Sequence, residues 1–127
     1  MKALVLVRHA SAGDRERWSG DDRERPLDER GRRQAEKLVM SLAAYRFDRI
    51  LSSPYLRCMQ TMEPLAQRRG LRVEECDELA EGASREEALG LVEKVRGAGV
   101  VLCTHGDVVL ELLGATLRKG ETAILEQ

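Results

Sequence analysis

Short apolar runs alternate with longer amphipathic stretches along this chain. Residues 3–7 (Ala-Leu-Val-Leu-Val) are continuously apolar, the pattern of a strand covered on both faces. Residues 15–25 are charge-dense around Gly20 and read as a surface loop. Asp28 is placed to cap a helix reaching about residue 44, because Ala35, Leu38, Val39 and Leu42 fall at helical spacing. A second short strand over 49–51 closes at Ser52-Ser53-Pro54.

Residues 55–69 again show helical spacing, with Leu56, Met59, Met62 and Ala66 on one stripe and Pro64 expected to kink or restart the helix. Gly70 ends it, and residues 71–73 predict a third strand. Ser84 and Glu87 form a capping-box pair ahead of Ala88, Leu89, Val92 and Val95. A fourth buried strand covers 100–103. Asp107 is expected to cap a last helix running to about Leu117, with Leu110 and Leu113 in the core, and 123–125 suggests a terminal strand. Strands alternating with helices predict an α/β three-layer sandwich around a mainly parallel sheet.

The 127 residues are enough for a single domain with its own core, and 43% of them are hydrophobic. Twenty-one basic residues against 22 acidic ones leave a net charge of -1, so no global field points to nucleic acid or an anionic membrane. Three cysteines without paired spacing, Cys58, Cys76 and Cys103, suit reduced thiols. The N-terminal apolar run is too short for a secretory signal and no stretch approaches transmembrane length, so the expected location is the cytoplasm.

Chemistry gathers directly after the predicted strands. Arg8-His9 follows the first, Ser52-Ser53-Pro54 with Arg57 the second, and His105-Gly106 the fourth. Ligands of open α/β sheets bind at the carboxyl ends of the strands, which would bring these clusters into one pocket. Two arginines, two histidines and helix N-termini favour a tetrahedral oxyanion. A neutral imidazole is a competent nucleophile near neutral pH, and fixed cations stabilise a transferring phosphoryl group. No metal or cofactor is required if the arginines carry that charge.

Other readings are weaker. Cys103-x-His105 lacks two further ligands for zinc, and Cys103 reads as a small buried hydrophobe. Ser52 and Ser53 lack the elbow that activates a serine nucleophile and read as phosphate-loop or turn residues. Residues 15–33 mix seven basic with six acidic side chains, the composition of a solvated face.

Arg8-His9-Ala10, Ser53-Pro54-x-x-Arg57 with Gln60-Thr61, and Thr104-His105-Gly106 resemble, in order, the motifs of the histidine phosphatase (phosphoglycerate mutase-like) superfamily. The resemblance covers nearly the whole chain, residues 1–127, and implies His9 as the phosphorylated nucleophile. Arg8, Arg57, His105 and Gly106 would then surround the phosphate. Mutase-type members carry Gly, Ser and Asn where this chain has Ala10, Ala12 and Arg15, so the pattern is more similar to the small phosphohistidine phosphatase branch (SixA type). Only about ten residues separate Val73 from Ser84, leaving no room for the lid of larger members and predicting a shallow, open pocket.

By this resemblance Glu81 occupies the general-acid position, with Glu78 and Asp77 as neighbouring rivals. The expected substrate is a phosphohistidine on a protein, whose leaving imidazole needs little acid help because its pKa is about 6.5. A small phosphomonoester is the alternative substrate. A non-catalytic module that only binds a phosphorylated partner is the alternative of a different class.

Overall fold

The computed structural model describes residues 2–127. Its strands are β1 (Leu4–Arg8), β2 (Arg49–Ser52), β3 (Val73–Glu75), β4 (Val100–Thr104) and β5 (Thr122–Glu126). They lie in the order β3-β2-β4-β1-β5. β1 pairs parallel with β4, β4 with β2 and β2 with β3, while β5 runs antiparallel along the outer side of β1. The helices are α1 (Glu29–Ser41), α2 (Leu56–Arg69), α3 (Arg85–Val95) and α4 (Gly106–Leu113).

The period-two geometry of a strand explains why β1 is apolar throughout. Val5 and Val7 point to a layer formed with Leu38 and Leu42 near α1 and Met62 and Leu65 of α2. Leu4 and Leu6 point the other way, to Leu91, Val92 and Val95 of α3 and Val109 of α4. Val101 and Cys103 join the first layer and Val100 and Leu102 the second. Burying each such side chain contributes about 1.5–3 kcal/mol, so the pairing of β1 with β4 is the most strongly determined part of the sheet. Both strands end at the same level, Arg8 opposite Thr104, which sets their following residues side by side.

Several boundaries differ from the sequence reading, each for a local reason. Helix α1 stops at Ser41, where the Leu42 N–H closes back on Leu38. Strand β3 begins two residues late, because Gly70 turns left-handed (φ 66°) and the Leu71 N–H caps α2 through Ala66 O. Helix α2 continues through Pro64, its flanking Met62, Leu65 and Ala66 all buried; packing there outweighs the lost backbone bond. Helix α4 ends at Leu113 with Gly114 as its left-handed cap, and Leu110 is 49% exposed rather than core. His105, not Asp107, is its N-cap residue; the Asp107 carboxylate instead accepts from the Gly82 N–H (2.8 Å). The capping box of Ser84 and Glu87 is present in full.

Candidate active site

The ends of β1, β2 and β4 bring the polar clusters together. The rings of His9 and His105 meet edge to face with centroids 5.3 Å apart. Tyr55 lies edge-on to His105 at 4.7 Å, and the Arg57 guanidinium sits 4.9 Å above the Tyr55 ring. His9, Arg57 and His105 are all buried.

Each side chain is held from behind. His9 Nδ1 lies 2.8 Å from the Ala10 carbonyl. A carbonyl can only accept, so Nδ1 carries the proton and Nε2 keeps its lone pair. The Ala10 N–H donates to Thr61 Oγ1 (2.9 Å), and that hydroxyl donates to Arg57 O (2.6 Å). One threonine thus ties the backbone next to His9 to the helix that carries Arg57. The Gly120 N–H meets both Arg8 O and His9 O at 3.0 Å, fixing the same backbone from the β5 side. His105 Nε2 lies 2.8 Å from Ser53 Oγ and 3.5 Å from Cys58 Sγ, which leaves its Nδ1 for the site.

The donors left over are informative. Among the described residues, three buried side-chain nitrogens have no partner: Arg8 Nε, Arg57 Nε and His105 Nδ1. Buried polar atoms are nearly always paired, and these three belong to the three side chains that flank His9. Their common complement is a multivalent oxyanion. Arg8 also donates to Leu117 O (2.7 Å). It passes so close to Gly106 that a Cβ there would lie 2.9 Å from its Cζ, so the glycine makes room for a cation.

Burial, with smaller contributions from the nearby His105, Arg57 and Arg8 and opposed only by the Ala10 hydrogen bond, lowers the His9 pKa from 6.5 to about 3. His9 is therefore neutral at physiological pH, as a nucleophile must be.

Glu81 is at the site, its Oε1 3.3 Å from Arg57 Nη2 and 3.9 Å from His105 Nδ1. The same oxygen also meets Arg15 Nη2 at 2.7 Å. Asp77 and Glu78 lie in a 3-10 turn, Asp77–Leu79, and pair with none of His9, Arg57 or His105.

The loop before α1 is more than a solvated face. Arg57 donates to Asp22 O (2.8 Å) and to Asp22 Oδ2 (3.0 Å). Arg25 is 6% exposed and is held by Asp22 and the Ala12 carbonyl. Burial works against the Asp22 charge, but hydrogen bonds from Arg25 and Arg57 keep its pKa below the usual carboxylate value. Asp22 and Arg25 carried no sequence signal distinguishing them from neighbouring charges, and Arg15 stood out only as a departure from the mutase pattern. Thr61 stood in the quoted motif without a role. Ser53 Oγ lies against His105 Nε2 and accepts the Tyr55 N–H (3.2 Å), the contacts of the turn reading.

This geometry belongs to α/β proteins that handle phosphoryl groups at the carboxyl ends of sheet strands. The sequence profile of the Histidine phosphatase superfamily (branch 1) matches residues 4–89, and the chain belongs to that superfamily. It is 40% identical over 119 residues to an 8-oxo-(d)GTP phosphatase of Mycolicibacterium smegmatis, covering 88% of this chain but only 36% of that relative. A structure from Agrobacterium tumefaciens bearing the SixA phosphohistidine phosphatase name superposes with a TM-score of 0.80 at 27% identity, covering 99% of this chain and 92% of that one. The structure of the protein histidine phosphatase SixA with tungstate shares the fold at a TM-score of 0.76 and 22% identity, covering 96% and 93%. No helix among the described residues is long and apolar enough to cross a membrane.

Proposed function

We propose that this chain hydrolyses activated phosphoryl groups through a phosphohistidine on His9. The observation that carries the reading is the set of three unpartnered buried nitrogens on Arg8, Arg57 and His105 around a neutral imidazole. His9 Nε2 attacks phosphorus while the three donors take the charge that spreads over the equatorial oxygens. Water then attacks the phosphohistidine, releasing orthophosphate and restoring the imidazole. The donor set supplies the electrophilic assistance without a metal, and residues 1–127 act as a single lidless domain working in the cytoplasm.

The carboxylate argues for the kind of bond cleaved. Glu81 is the one acid beside His105, yet the oxygen nearest His105 is already engaged by Arg15 and Arg57, so it is not free to reach a leaving group. The substrate should then have a leaving group that departs without a proton. Imidazole leaving from phosphohistidine satisfies this, with a pKa of about 6.5. Protein-borne phosphohistidine is also supported by the short β3–α3 connection and by the SixA-named neighbour. A phosphate leaving from a nucleoside polyphosphate satisfies it too, with a second pKa of about 6, and is supported by the 40% identical nucleotide phosphatase.

The test is phosphate release from a histidine-phosphorylated carrier protein, a nucleoside diphosphate and p-nitrophenyl phosphate, with wild type and His9→Ala compared. Release by wild type and none by His9→Ala is expected, with the carrier or the diphosphate ahead of the aryl ester. Full activity of His9→Ala would overturn the nucleophile assignment. Binding of the phosphorylated carrier without any release would make the chain a recognition module instead.

A further inference from the structure

Beside the reacting centre runs a groove of about 640 Å³ whose inner wall is Arg8. Its other walls carry Arg30 and Lys37 of α1 and Arg118 and Lys119 of the turn before β5. Arg30 and Lys37 are seven residues apart, two helical turns, and so share a face of α1. None of these four outer cations forms an ion pair among the described residues, in a chain that otherwise pairs many of its arginines with carboxylates. The one acidic side chain on the wall, Glu121, is occupied by the Arg118 backbone N–H (2.7 Å).

The turn that presents Lys119 is fixed rather than loose. Its Gly120 N–H is shared by Arg8 O and His9 O, the Arg8 N–H donates to Glu121 O (3.1 Å), and the Glu121 N–H closes the turn on Arg118 O (2.9 Å). A Cβ on Gly120 would lie 3.1 Å from the Gln34 side chain, so the turn packs directly against α1. The Gln34 amide oxygen in turn accepts from the Ser11 N–H (2.8 Å). The turn thereby holds Lys119 beside the segment that carries His9, near Arg8, Arg25 and Arg57; partial burial and these like charges lower its pKa, with Asp28 opposing them.

A row of unpaired cations that starts at the phosphoryl-binding Arg8 and leads outward is matched by an anion attached to the phosphoryl group being transferred. We propose that this groove is a second-anion subsite, with Lys119 as its inner cation, which takes the penultimate phosphate of a nucleoside di- or triphosphate. The volume falls in the range of small-ligand sites, about 300–1,000 Å³, whereas an extended protein surface would need a broader area. The inference rests on the His9 reading and specifies the polyphosphate form of it.

The chemistry then balances as follows. His9 Nε2 forms a bond to the terminal phosphorus, and the bond from that phosphorus to the bridging oxygen breaks. The bridging oxygen keeps the electron pair and becomes a terminal oxygen of the shortened nucleotide, beside Lys119. Water delivers hydroxyl to the phosphorus of phospho-His9; its proton passes to solvent as the N–P bond breaks and orthophosphate leaves.

Two measurements test this on the same protein. In the first, kcat/KM for GDP is divided by kcat/KM for p-nitrophenyl phosphate in wild type, Lys119→Gln and Lys119→Arg. The ratio is expected to fall at least 10-fold in Lys119→Gln, through KM for GDP, and to recover within about 3-fold in Lys119→Arg. An unchanged ratio, or a wild type that cleaves the aryl ester but neither cleaves GDP nor is inhibited by it, overturns the subsite. In the second, pyrophosphate and orthophosphate are titrated into His9→Asn protein, and pyrophosphate is expected to bind at least 10-fold more tightly in a Lys119-dependent way. Equal affinities overturn the subsite even if catalysis is intact. If wild type cleaves no substrate while pyrophosphate binding keeps its Lys119 dependence, the subsite stands and the His9 reading fails.

Discussion

The His9 imidazole is kept neutral by its surroundings, and this has two measurable consequences. With a pKa of about 3 in the folded protein, His9 produces no acid limb near pH 6.5 in a kcat/KM profile. A profile on p-nitrophenyl phosphate, corrected for substrate ionisation, should be flat from this group down to about pH 4. The second consequence concerns stability. Unfolded His9 binds a proton below about pH 6.5 while folded His9 does not until about pH 3, so stability falls as pH drops through that window, by about 1.4 kcal/mol per unit. Urea unfolding at pH 7.5 and pH 5 should show wild type losing about 2 kcal/mol more than His9→Gln. Equal losses would mean that His9 is not desolvated. Gly106→Ala tests the neighbouring cation. Its Cβ would meet Arg8 at 2.9–3.1 Å, contacts that a side chain can relieve by moving. The expected result is a loss of about 10- to 100-fold in kcat/KM with little change in melting temperature.

At the scale of elements, two glycines in helices should respond oppositely to the same change. Replacing a helix-interior glycine by alanine ordinarily stabilises by about 0.5–1 kcal/mol. Gly90 in α3 has nothing within 4 Å of its would-be Cβ, and Gly90→Ala should give that gain. Gly31, in the first turn of α1, would place a Cβ 1.9 Å from Ser11 O, a backbone atom of the segment leading away from His9. Gly31→Ala should therefore destabilise by about 2 kcal/mol or more, read as a lower urea midpoint. The central elements were legible in the sequence because burial enforces them. β1 and β4 are apolar on both faces, and Asp28 and Ser84 act as caps through side-chain contacts three residues long. The ends were less so. Whether Leu71 starts a strand or caps a helix depends on a left-handed Gly70, and whether α4 reaches Leu117 depends on Gly114; both are backbone choices that apolar spacing does not encode. The loop over 13–26 was hardest. Five carboxylates in that region look alike in sequence, and only the fold selects Asp22 to meet Arg57.

Taken whole, the molecule has almost no net charge but an uneven one. Fixed guanidinium and imidazole donors gather at one end of the sheet, with unpaired cations in the adjoining groove. If the proposed donor set carries the charge of the transferring group, prolonged treatment with EDTA should leave phosphate release within about 2-fold of the untreated rate. A larger loss, restored by a divalent cation, would place a metal in the reaction. The central sheet has a consequence for biosynthesis. The backbone carbonyls of His9 and Arg8 are satisfied by Gly120, and β1 is flanked by β5, both far downstream of His9 in the chain. The backbone around His9 therefore lacks these supports in a nascent chain until Gly120 and β5 have been synthesised, more than a hundred residues after His9.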